Sequence, residues 1–163
     1  MNTMNEKKFR EYLAGVVAGH GAHITFGQAV AGFPEEKIAV RVPHVDHTAW
    51  QLIYHTAAAL WDIIDYIDYT NYEPKPYPGG YWPENDGPDS IDQWYEKIDS
   101  IEAGIKTLQE MLRDPERDIF APLSHSAEHS IVRQAITAAD HHAYHIGQLV
   151  DLRMLLEARV KDW

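Results

Sequence analysis

From Ile91 to Leu112 the apolar residues Ile91, Trp94, Ile98, Ile101, Ile105, Leu108 and Leu112 alternate steps of three and four without a break. A seven-residue repeat of this kind keeps one seam of a helix turned toward its neighbours in left-handed packing. The spacing predicts a helix from Ser90 to about Arg113, ended by Asp114-Pro115. Such a seam is stable only when other helices cover it, so the expected fold class is all-α, a helical bundle. The 163 residues make one domain, long enough to bury a core without staples. The seam itself bears no reactive group, so any chemistry lies elsewhere.

Four other segments read as helical. Asn5 to Val17 places Phe9, Tyr12, Leu13, Val16 and Val17 on one face, and Gly19, His20 and Gly21 interrupt it. A short helical piece, Ile24 to Ala31, stops at Gly32-Phe33-Pro34, and Glu35 to Val42 reads as a linker. From His47 to about Tyr69 the residues Trp50, Ile53, Ala57, Leu60, Trp61, Ile64 and Ile67 recur at helical spacing, with Asp46 or Thr48 placed to cap the start. His44 and His47 stand at that entry, where local hydrogen bonding is expected. After a loop from Glu116 to Ser126, a last helix is expected from about Ala127 to Val160, with His125 and His129 straddling its start at the surface.

Between Thr70 and Pro88 the composition changes. Pro74, Pro76, Pro78, Pro83 and Pro88 alternate with glycines and with Tyr72, Tyr77, Tyr81 and Trp82. No helix or strand survives that many prolines. Disordered segments are poor in aromatic residues, and this one is dense in them. The expectation is an ordered strap packed across the helices through its rings, a position compatible with forming the wall of a binding site.

Composition narrows the function. There is no cysteine, which excludes disulfides, thiolate metal sites and a cysteine nucleophile. A net charge of −11 with scattered Lys and Arg argues against nucleic acid, whose phosphates are bound by clustered cations. The start of the sequence has no apolar signal core and no stretch reaches the length of a membrane span, so the expectation is a cytoplasmic protein with no membrane partner.

What remains is histidine. His141 and His145 lie four apart on the predicted last helix, and residues at that spacing share a face with Cβ atoms roughly 5–6 Å apart. Their imidazoles can converge on one ion at about 2.0–2.1 Å. His142 points about 100° away and cannot join them. The stripe Ala138, His141, His145, Gln148 and Leu152 is flanked by apolar positions and should face the interior, where an unpaired polar group costs about 1–3 kcal/mol. Gly147, mid-helix, suggests close approach of a backbone or ligand. A third ligand must come from another part of the chain. His55 is the best-placed mid-helix histidine outside the last helix, although a lone histidine at the edge of an apolar stripe is more often a satisfied core residue than a ligand.

The stretches His47-Thr48-Ala49-Trp50-Gln51-Leu52-Ile53-Tyr54-His55, Trp61-Asp62-Ile63 and His141-x-x-x-His145-x-Gly147-Gln148, followed by Leu152-Arg153, resemble the DinB/YfiT-like superfamily of metalloenzymes. The resemblance extends over essentially the whole chain. It implies a four-helix bundle whose second and third long helices run the same way, joined by a long crossover. It also implies one divalent metal ion, zinc or nickel, held by His55, His141 and His145. Spacing then puts Gln148, three residues beyond His145, and Asp62, seven beyond His55, within reach of those ligands. The implied activity is that of a metal-dependent hydrolase or a transferase of low-molecular-weight thiols acting on a small-molecule substrate, and homodimers are common in the family. Asp140 and Tyr144, off the ligand face, read as surface or packing residues. A bundle of the same fold that binds a small ligand or partner without catalysis is the alternative, with the aromatic strap as its recognition surface.

Overall fold

The computed structural model describes residues 3–69 and 72–158. Among them are five α-helices, α1 (Thr3–Val17), α2 (Phe26–Val30), α3 (Ala49–Asp68), α4 (Ile91–Arg113) and α5 (Ile131–Leu155), and a 3-10 turn at Glu35–Lys37. The chain is thus mostly helical, as the periodicity predicts. It also carries an antiparallel hairpin, β1 (Pro122–Leu123) with β2 (Ser126–Ser130), that an all-α expectation leaves out.

The four long helices close a ring in the order α1, α4, α3, α5, and α5 packs back on α1. Their directions follow from paired residues. Lys97 lies over the Tyr54 ring, the Trp61 indole donates to Ser100 Oγ at 2.9 Å, and Gly104 faces Leu60, so α3 and α4 run parallel. A Cβ on Gly104 would stand 2.6 Å from Leu60 Cδ2, which marks the close approach of those two helices. Against α3, α5 is antiparallel: Tyr66 meets His129 near one end and His55 meets His141 nearer the other. Parallel neighbours require the chain to return along the 20 residues of α3, about 30 Å. The proline-rich strap makes that return. Along the α4 seam Trp94, Ile101, Leu108 and Leu112 are at 1 % exposure or less, and Ile91, Ile98 and Ile105 are partly buried against the core.

Thr48 fixes where α3 begins. Its hydroxyl accepts from Gln51 N while the Gln51 side chain accepts from Thr48 N, and the same hydroxyl donates to the Asp86 carbonyl at 2.7 Å. One residue therefore caps the helix and fastens the end of the strap to it.

Three sequence expectations are corrected. On α1, Leu13 and Val17 are buried, but Phe9, Tyr12 and Val16 are exposed, Tyr12 at 76 %. The inward position belongs instead to Arg10, whose guanidinium donates to the carbonyls of Leu112, Asp114 and Arg117 and pairs with Glu6. Those carbonyls lie at and beyond the α4 C-terminus, where helical partners run out. Arg153 acts likewise for the carbonyls of Ala29, Ala31 and Ala158. Second, α5 starts at Ile131 rather than near Ala127, because residues 126–130 pair with β1 and Ser130 caps the helix by accepting from Arg133 N. At the far end Val160 lies outside the described residues. Third, Gly147 is exposed and no other part of the described chain comes within 4 Å of its missing Cβ, so close backbone approach does not explain it.

Candidate metal centre

Helices α3 and α5 bring together the three histidines that the sequence singles out. His141 Nε2 lies 3.0 Å from His55 Nε2 and 3.0 Å from His145 Nε2, and the ligand atoms of all three fall within 4.8 Å of one another. His55 and His145 are 9 % and 7 % exposed, and His141 is half-buried. In a tetrahedral site with metal–nitrogen bonds of about 2.0–2.1 Å, neighbouring nitrogens stand about 3.3 Å apart. The two contacts that His141 makes are therefore a few tenths of an ångström shorter than a shared ion requires, while all three nitrogens stay within 4.8 Å of one another.

Hydrogen bonds on the far side of two rings settle their tautomers. Gln148 donates its amide to Tyr144 Oη at 3.3 Å, which turns its carbonyl oxygen toward His145 Nδ1 at 2.6 Å. The Tyr81 carbonyl lies 3.3 Å from His55 Nδ1. An oxygen acceptor at Nδ1 places the proton there and leaves Nε2 as a lone pair. Two Nε2 lone pairs thus face the same small space, and at most one proton, on His141, can lie between them. Unlike a set of mutually satisfied core histidines, this arrangement has an excess of acceptors and suits a cation.

Burial keeps the rings neutral. It pulls His141 down to about 3 and His55 down to about 4, helped by the neighbouring imidazoles, and lowers His145 as well. Neutral imidazole is the form that binds a metal. His142 turns away, as its position predicts. It is 5 % exposed, its pKa is lowered to about 4 by burial, and its Nε2 has no hydrogen-bond partner among the described residues.

The strap forms one wall of the site. Trp82 lies flat between two imidazoles, with centroids 3.8 Å from His55 and 3.9 Å from His47. This stack fixes the plane of the His55 ring, and aromatic density alone could not place it. His47, expected only to bond locally, is the third layer. Asp62 does not touch the histidines. Its carboxylate accepts from the Tyr72 and Tyr81 hydroxyls at 2.8 and 2.9 Å, anchoring the residue whose carbonyl orients His55. Gln148 is placed as expected, against His145. Tyr144 is exposed, as expected, but its ring borders His145 with centroids 5.0 Å apart. His125 and His129 are half-buried rather than on the surface: both rings contact Tyr66, whose hydroxyl lies 2.6 Å from His129 Nδ1. Asp140 is exposed.

Beside the trio lies a cavity of about 480 Å³, bordered by His145, Trp82 and Tyr144 and by the loop from His44 to His47. His44 holds a left-handed backbone with φ of 66°, a strained conformation for a non-glycine residue at the rim of a cavity. Among the described residues no helix is long and apolar enough to cross a membrane. The fold and the trio define a helical protein with a three-histidine candidate metal centre. No family model, curated protein or solved structure matches the chain.

Proposed function

We propose that this protein is a metal-dependent enzyme, a hydrolase or a transferase of low-molecular-weight thiols, built as a four-helix bundle of the DinB/YfiT type. His55, His141 and His145 would hold one divalent ion, zinc or nickel. The observation that carries this reading is the pair of Nε2 lone pairs on His55 and His145, fixed by Tyr81 and Gln148, facing a third Nε2 at 3.0 Å. The parallel α3 and α4, with the strap between them, support the bundle type. Three protein ligands leave a fourth position for substrate or water, the layout of catalytic rather than structural sites. A divalent ion held there supplies Lewis acidity, lowering the pKa of a bound water or thiol. The chain's own part is positional: Gln148 and the Tyr81 carbonyl hold protons on the outer ring nitrogens, and Trp82 excludes water from one face of His55.

The first test is elemental analysis of the untagged protein beside His55→Ala. About one divalent ion per chain, lost in the variant, is the expected result. Absence of metal in both, with no uptake of added zinc or nickel at neutral pH, removes the basis for the proposal and leaves a ligand-binding bundle.

A further inference from the structure

We infer that the cavity beside the histidine trio selects organic cations, molecules with an amine or quaternary ammonium group carried on an apolar body. The inference rests on the proposed metal centre for the orientation of the ligand's reactive end, but its charge preference is read from the cavity itself. Along α5, Tyr144, Gln148, Asp151 and Leu155 recur at steps of four and three, so they form one strip leading away from His145. The opposite wall is the loop that carries Val45 and Asp46. Two carboxylates, Asp46 and Asp151, therefore border the space, and among the described residues neither a lysine nor an arginine does. Arg41, which precedes that loop, is already engaged: it pairs with Asp86 through two hydrogen bonds and donates to the Asp46 carbonyl.

The apolar lining is equally specific. Leu155 is 58 % exposed on the strip, and Leu52 and Leu152 lie beneath it with faces on the cavity. An exposed leucine beside two carboxylates suits a ligand with an apolar body and a cationic end. Both faces of Trp82 are covered by imidazoles, so Trp82 is not available as a cation platform. Tyr144 is: its ring is 64 % exposed, and an ammonium over an open tyrosine face is attracted by the ring quadrupole. Apart from the proposed metal centre, an anionic substrate would meet two carboxylates and, among the described residues, no lysine or arginine in the lining, a disfavoured pairing in a chain of net charge −11.

The probes are benzyltrimethylammonium, which cannot coordinate a metal, and benzenesulfonate, of similar body and opposite charge. Binding of each is measured by calorimetry to the protein with and without added zinc, and zinc content is determined on the same samples. The expected result is at least about tenfold tighter binding of the ammonium probe to the zinc-free protein, the gain of one cation–π contact and two partly exposed ion pairs, with a smaller preference once zinc is bound beside the cavity. Asp46→Asn/Asp151→Asn should abolish the preference while zinc uptake stays at the wild-type level, and Asp151→Lys should favour the sulfonate. In the zinc-free protein, equal binding of the two probes, tighter binding of the sulfonate, or an unchanged preference in the double variant overturns the inference. Because zinc is counted separately, failure of the metal centre shows as lost zinc and failure of the charge selection as lost preference.

Discussion

Gln148→Leu removes one atom's worth of chemistry from the candidate metal centre while keeping the side chain's bulk. In the native site the Gln148 carbonyl oxygen stands 2.6 Å from His145 Nδ1 and holds a proton there, so Nε2 presents a lone pair to His141 and His55. Leucine cannot accept that proton. His145 then loses the bias toward its metal-binding tautomer, and its buried Nδ1 has no acceptor for a proton. A neutral hydrogen bond of this kind contributes about 0.5–1.5 kcal/mol net, so zinc affinity should fall by about tenfold, at the lower end of the 10–100-fold range for such outer partners. The assay is competition for zinc against a chromogenic chelator at neutral pH. Gln148→Glu serves as the control, because a carboxylate accepts the same proton and should bind zinc at least as tightly as the native protein. Wild-type affinity in Gln148→Leu, or equal losses in both variants, would show that the 2.6 Å contact does not set the tautomer.

Two further outcomes follow from the stack and from burial. Trp82→Ala uncovers His55, which should lose about 2 kcal/mol of stability for a half-buried tryptophan and weaken zinc binding, measured by denaturant unfolding and the same competition. Its His55 pKa should rise from about 4 toward the ordinary value, readable by NMR titration of the zinc-free protein. In zinc-free protein the native pKa values of His55 and His141, about 4 and about 3, lie below the ordinary value near 6.5, so between those limits the unfolded chain binds more protons. Their contribution to stability is present above about pH 6.5 and is lost as pH falls toward 4 and then 3. His141→Gln should flatten that decline in denaturant melts, and an equally steep decline in the variant would contradict it.

The parts of this molecule that were legible in the sequence are those set by helical spacing. The α4 seam, the limits of α3 and α4, and the shared face of His141 and His145 all follow from residues three, four or seven apart on one element. The meeting of His55 with that pair does not. It depends on the antiparallel docking of α3 on α5, and the resemblance of the two histidine stretches to a known superfamily suggested it where periodicity could not. Where a polar residue displaces apolar ones, periodicity misleads. Arg10 takes the inward side of α1 because the carbonyls of Leu112, Asp114 and Arg117 need donors, and Phe9, Tyr12 and Val16 turn outward. Tertiary pairing misleads too: residues 126–130 become a strand because Pro122–Leu123 is there to pair with them. Nothing in the sequence marks the Tyr81 carbonyl as the partner of His55, since every residue has a carbonyl and only the path of the strap delivers this one.

The contact between His55 and His141 joins positions 86 residues apart. An ion shared by those rings would close that span into a covalent-like loop, in a chain that has no cysteine to form one. By the loop-entropy relation used for disulfides, a tie of that length removes about 4–5 kcal/mol of freedom from the unfolded chain. The enclosed span contains most of α3, the strap, α4, the hairpin and the start of α5. Loading the site would therefore change how more than half of the molecule unfolds, as well as what it can bind.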